Sequence, residues 1–156
     1  MPKPFELKLK EGDLAPDFEA ETQDGKIVRL ADFKGQKLVL YFYPRDNTPG
    51  CTKEACSFRD HMATLKKKAV LLGVSTDTVK KHARFATKYR LPFPLLADPE
   101  RKMVSAYGVW GEKSFMGMKF EGTHRVTFLI GPDGRIRKIW PKVKVAGHTQ
   151  EVLEAL

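Results

Sequence analysis

The chain has 156 residues, of which 42% are hydrophobic and 30% charged, and it carries a net charge of +9. That length suits one domain able to bury its own core without a metal or disulfide staple, and the composition excludes collagen-like, coiled-coil and disordered classes. Two cysteines are too few for the framework of a disulfide-rich secreted scaffold, no apolar run approaches the ~18 residues of a membrane span, and residues 1–10 lack the apolar segment of a secretory signal. A cytoplasmic protein is therefore expected, where paired cysteines are more often catalytic or metal-binding than structural. The 28 Lys and Arg residues are scattered along the chain, with no RNP motif, zinc-finger spacing or basic run interleaved with aromatics. The positive balance reads as a solvated basic surface, and no nucleic-acid partner is expected.

In chain order, the lysine-rich first dozen residues are expected to be a loose end. Phe18–Glu21 and Lys26–Leu30 read as strands around the turn Gln23-Asp24-Gly25, a hairpin signal. Leu38–Tyr43 is almost continuously apolar and rich in strand formers, which fits a strand buried on both faces, ended by Pro44. Thr48-Pro49-Gly50-Cys51 opens a helix, with Thr48 suited to the N-cap and Pro49 to the first helical position; the helix is expected to reach Leu65 or Lys68. Ala69–Val74 reads as a second buried strand. Asp77 is expected to cap a helix through Tyr89, which Pro92-Phe93-Pro94 breaks, and Asp98-Pro99-Glu100 to start a short helix to about Tyr107. Trp110, Phe115, Met116, Met118 and Phe120 fall in a glycine-punctuated loop, read as half core and half wall of a pocket. Arg125–Ile130 is a third strong strand, Gly131-Pro132-Asp133-Gly134 turns it into Arg135–Trp140, and a last helix begins near His148. The order β-α-β-α, then a β-hairpin, then α, is the thioredoxin arrangement. It predicts one α/β domain over residues 1–156: a central mixed sheet flanked by helices, with an N-terminal β-hairpin extension.

The two cysteines stand five positions apart, at the start of a helix that follows a buried strand. Backbone N–H groups of a first helical turn favour an anion there. An ordinary thiol, of pKa ~8.5, is only a few per cent ionised at pH 7. Holding it largely as thiolate takes ~3.4 kcal/mol, and a helix end supplies ~0.3–1, at most ~2. A cation must supply the rest. Arg45 and Lys53 are near in sequence, and spacing alone does not choose between them and a more distant residue.

The segment Tyr41-Phe42-Tyr43-Pro44-Arg45-Asp46-Asn47-Thr48-Pro49-Gly50-Cys51-Thr52-Lys53-Glu54-Ala55-Cys56 resembles the active-site motif of peroxiredoxins, Pro-x-x-x-Thr-x-x-Cys. The second cysteine, five residues on, resembles that of the Q-type, or bacterioferritin-comigratory-protein, subfamily. Similarity continues through Tyr107–Lys113 and Arg125–Ile130 and covers the chain from about Gly12 to its end. The resemblance implies a thiol-dependent peroxidase acting on hydrogen peroxide and organic hydroperoxides. It makes Cys51 the peroxidatic nucleophile, Arg125 the activating cation, Thr48 a hydrogen-bonding partner of the peroxide and Pro44 a shield against water. It makes Cys56 the resolving residue of a Cys51–Cys56 disulfide, reduced by thioredoxin or a similar dithiol. It further implies a monomer, and no metal, haem or flavin cofactor.

Other readings of these residues carry less. Cys51, Cys56 and His61 point about 140° apart in succession around a helix and do not converge on one zinc ion. None of the four histidines has the context of a cysteine protease. A thioredoxin-like disulfide oxidoreductase wants Cys-x-x-Cys where this chain has Cys-x4-Cys. A basic binding or holdase module without peroxidase activity is the non-enzymatic alternative.

Overall fold

The computed structural model describes residues 5–156. A seven-stranded mixed sheet, in the order β2-β1-β5-β4-β3-β8-β9, forms its centre. At one edge β1 (Glu19–Thr22) and β2 (Ile27–Arg29) make the expected N-terminal hairpin, and β1 also pairs with β5 (Leu95–Ala97). In the middle β3 (Leu38–Phe42) runs parallel to β4 (Val70–Ser75) and antiparallel to β8 (Val126–Ile130), which pairs in turn with β9 (Ile136–Trp140). The helices are α1 (Pro49–Asp60), α2 (Met62–Leu65), α3 (Val79–Tyr89), α4 (Lys102–Ala106) and α5 (Val145–Ala155). This is the thioredoxin-like α/β architecture that the element order predicts.

The unbroken apolar run of β3 has its reason in the two cores. Leu38, Leu40 and Phe42 pack on one side of the sheet with Leu72, Val74 and Phe128. Val39, Tyr41 and Tyr43 pack on the other with Phe58, Phe85 and Val152. Neither face meets water, so period-two alternation has nothing to record.

Several local expectations are corrected. The loose end falls partly on residues 1–4, outside the described residues. From Phe5 onward the chain is tied down: Phe5 stacks on His124 with ring centroids 3.7 Å apart, and Leu7 and Leu9 lie against the core. The helix opened by Pro49 stops at Asp60, because His61 leaves the helical region (φ −109°, ψ 7°), and α2 restarts after it. Thr78, not Asp77, caps α3 by accepting a hydrogen bond from Lys81 N, since Asp77 is turned inward to Ser75 and Asp46. Asp98 does serve the fourth helix, accepting from Met103 N and Val104 N, though that helix starts only at Lys102. β5, directly behind Pro92 and Pro94, has no counterpart among the expected strands.

The largest correction concerns the stretch read as a loop. Trp110–Phe115 (β6) and Met118–Thr123 (β7) form a separate two-stranded antiparallel hairpin. Phe115, Met116 and Met118 are 69%, 87% and 72% exposed at its tip, so only Trp110 of the five apolar residues packs on the core. Met116 and Gly117 both take positive φ and make the tight turn, and a Met-Gly pair does not advertise such a turn as Asn-Gly or Asp-Gly would.

Candidate active site

The N-terminus of α1 brings the site together. Thr48 is extended at the N-cap, and its carbonyl accepts the first helical bond from Thr52 N at 2.8 Å. Its hydroxyl donates to Arg45 O at 2.9 Å and makes no capping bond, which leaves its oxygen lone pairs open. Pro49 opens the helix, and Cys51 follows in the first turn with 2% exposure. Pro44, half-buried, begins the loop between β3 and the helix.

Of the three candidate cations, Arg125 reaches the thiol. It stands just before β8, a strand paired with β3, and this pairing closes a separation of 74 residues. Its Nη2 lies 3.3 Å from Cys51 Sγ, while Nη1 donates to Glu54 Oε1 at 2.6 Å. Gly50 allows the approach: a Cβ there would stand 3.3 Å from Arg125 Nη2. One guanidinium fork thus bridges two positions three apart on the same face of α1. Arg45 and Lys53 are exposed and form no hydrogen bond to the sulfur.

Glu54 is almost completely buried, and its Oε2 has no partner. Burial pushes its carboxyl up to about 7, against the pull of Arg125. Beside it the Tyr41 hydroxyl is also buried and unpaired, and burial together with the nearby Glu54 and Cys51 drives that phenol well up. On the hairpin, Lys113 donates to Thr123 O; burial lowers it, and Arg125 lowers it further. Cys56 is half-buried on the same helix, and both cysteines are free. Five positions apart on a regular helix, their Cα atoms are about 8–9 Å apart.

A nearly buried thiol, an opposed guanidinium and an open helix end form a site for nucleophilic attack by sulfur. Comparison with known proteins supplies the family. The AhpC/TSA family profile matches residues 12–139. A putative peroxiredoxin Bcp of Coxiella burnetii is 48% identical over 96% of this chain and all of its own length. Peroxiredoxin Bcp of Escherichia coli K12 is 49% identical over 95% of this chain and 96% of its own. The chain belongs to the AhpC/TSA family and is a peroxiredoxin. In structure it is similar to the bacterioferritin comigratory protein of Xanthomonas campestris, at TM-score 0.87 and 37% identity, with 96% of each chain covered. It is also similar to a peroxiredoxin Q mutant of Xylella fastidiosa, at TM-score 0.88 and 38% identity over 94% of each. Peroxiredoxins are thiol-dependent peroxidases, so the chain's substrates are a peroxide and a thiol reductant.

Two features of this peroxiredoxin site escaped the sequence. Glu54 was available to it: a residue three positions after a helical nucleophile shares its face. Lys113 carries no such signal, because nothing in the local sequence marks the hairpin that holds it.

Proposed function

We propose that Cys51 is the peroxidatic cysteine and that Cys56 resolves it within the same chain. The observation that carries this reading is the Arg125 Nη2 contact with Cys51 Sγ at the mouth of α1. A guanidinium and the positive helix end both favour sulfur as the anion. The Cys51 thiolate attacks one oxygen of the peroxide, the O–O bond breaks, and the leaving hydroxide or alkoxide takes up a proton as water or alcohol. Arg125 stabilises charge as it moves from sulfur to the departing oxygen. Thr48, whose own proton is engaged by Arg45 O, accepts a hydrogen bond from the peroxide O–H and so orients it. Pro44 has no N–H to offer and keeps water from the sulfur.

The product is a sulfenic acid on Cys51. Cys56 displaces water from it to give the disulfide, and a dithiol such as thioredoxin restores both thiols by exchange. Alkyl hydroperoxides fall within the substrate range, by similarity to the Xanthomonas protein whose alkyl peroxide reduction is described. A cytoplasmic setting fits a cycle that must recover two thiols at each turnover. The protein acts as a monomer and a single domain; the exposed Arg137 and Lys138 on edge strand β9 oppose strand-to-strand association. Among the described residues, no helix is long and apolar enough to cross a membrane.

Two measurements test the assignment. With thioredoxin, its reductase and NADPH, peroxide should drive NADPH loss in the wild type and not in Cys51→Ser. Peroxide-treated protein, under denaturing non-reducing conditions, should be lighter by two hydrogens per chain and not dimeric. Residual turnover in Cys51→Ser, or a disulfide-linked dimer, contradicts the proposal.

A further inference from the structure

Behind the active-site loop lies a buried polar cluster that the chemistry above leaves unused. Asp46 Oδ1 accepts a hydrogen bond from the Tyr43 hydroxyl at 2.5 Å, and Asp46 Oδ2 lies 2.6 Å from Nδ1 of the fully buried His82. On its other side, His82 Nε2 is 2.9 Å from the carbonyl of Leu96. The backbone N–H of Asp46 donates to Asp77 Oδ2, which also accepts from the Ser75 hydroxyl. One loop residue is thereby fastened at three points, to the end of β3, to α3 and to the end of β4.

The protons of this cluster can be counted. A carbonyl oxygen only accepts, so His82 Nε2 carries a hydrogen. The Tyr43 proton is engaged with Oδ1, so the 2.6 Å contact between Nδ1 and Oδ2 needs a proton of its own. Imidazolium with carboxylate, or imidazole with carboxylic acid, both meet this count. A neutral imidazole facing a carboxylate does not.

Placement gives the pair its task. Asp46 is the last buried residue before Cys51 and the reactive segment. Asn47 follows in the left-handed region at φ 60°, its side chain accepting from Lys88 and Tyr89 of α3. Thr48 and the helix mouth come next. We propose that Asp46 and His82 share one proton and act together as positioning residues for the peroxide step, anchoring the loop that presents Thr48 and Cys51. This rests on the assignment of Thr48 and Cys51 made above. If α1 unwinds to form the disulfide, the motion pivots beyond Asp46, and the anchor returns Thr48 to one place at each turnover. The ionisable groups facing the pair are Tyr43 just after β3 and Asp77 after β4. A cavity of about 220 Å³ opens over Asp46 and Asp77, and Arg45, Lys81, Arg84 and Lys88 stand around it. From β5 only the Leu96 backbone faces His82.

The variant that separates geometry from charge is Asp46→Asn. Asparagine can accept from Tyr43 through its oxygen and donate to a neutral His82 through its amide, so the anchor survives without the shared proton. Asp46→Ala and His82→Phe remove it. Reaction of reduced protein with hydrogen peroxide should fall roughly 10- to 100-fold in those two. Asp46→Asn should stay within about threefold of wild type, and alkylation of Cys51 by iodoacetamide, which does not use Thr48, should change far less in all three. Proton NMR of the wild type should show a His82 ring proton far downfield, absent from Asp46→Asn. That signal is independent of peroxidase activity and of the folding of the disruptive variants. A wild type without it overturns the shared proton. A folded Asp46→Ala at the wild-type rate, or Asp46→Asn as slow as Asp46→Ala, overturns the positioning role. Failure of the wild type itself to react with peroxide at Cys51 would instead strike the functional assignment beneath.

Discussion

Arg125 serves two partners, the Cys51 sulfur and the Glu54 carboxyl, with one planar fork, and this limits its replacement. Arg125→Ala removes a charge-assisted bond to sulfur and leaves Glu54 buried without its cation. The peroxide step at pH 7 should slow ~10- to 100-fold, the equivalent of ~1.5–3 kcal/mol. Arg125→Lys should recover only part, because one ammonium does not reproduce the paired geometry toward Glu54 and Cys51. Stopped-flow peroxide kinetics on the two variants check this; equal rates for Lys and Arg would show that charge alone suffices. Glu54 gives a separate prediction about stability. Its carboxyl ordinarily titrates near 4.5 and in the fold near 7. Below pH 4.5 both states hold the proton and nothing is lost. Between about 4.5 and 7 the unfolded chain releases it while the folded chain retains it, so stability falls as pH rises, with the full loss reached above 7. Glu54→Gln lacks this dependence and keeps an acceptor for Arg125. Denaturant midpoints measured from pH 4 to 8 should show the variant gaining on the wild type up to about pH 7 and then holding level. A constant difference would contradict the burial of that charge.

At the scale of elements, the cycle proposed above asks α1 to do two incompatible things. As a regular helix it holds Cys51 in the Arg125 pocket, with Cys56 too far away and turned elsewhere, since a disulfide needs Cα atoms about 4.4–6.8 Å apart. Beyond Cys56 it is well fastened: Phe58 packs on Tyr41 with centroids 4.8 Å apart, Ser57 pairs with Thr149 of α5, and Arg59 donates to Tyr89 O. Oxidation should therefore unwind the first turns and spare the last. Hydrogen exchange of the reduced and disulfide forms should show protection lost mainly between Cys51 and Cys56; identical protection in both would refute the unwinding. Cys56→Ser should react once with peroxide, stall as sulfenic acid and pass to the sulfinic form at high peroxide, visible as a gain of two oxygens in the mass. The opening of α1 was legible from Thr48 and Pro49, because caps are written in local residue types. Its end was not, because His61 breaks the helix through backbone geometry that no proline or glycine marks. The β6–β7 hairpin was missed for a related reason. Its exposed Phe and Met side chains read as half core and half pocket wall, and a two-stranded ribbon outside the main sheet need not follow the in–out pattern that burial imposes.

Across the whole molecule, the sheet order could not be read from local pattern. The central position of β3, with β4 on one side and β8 on the other, had to come from three-dimensional pairing. That topology decides which cation meets the thiol, which is why Arg45, Lys53 and Arg125 could be separated only by resemblance. It also bears on how the protein comes into being. On the assignment proposed above, the groups that activate Cys51 lie on both sides of a 74-residue gap, so a ribosome-bound chain that has emerged only past α1 has the cysteine without its arginine. Such a chain carries a thiol of ordinary reactivity, and the capacity to consume peroxide arrives only when the β3–β8 ladder closes. On that assignment the fast reaction with peroxide is acquired by folding and is not encoded in the local motif alone.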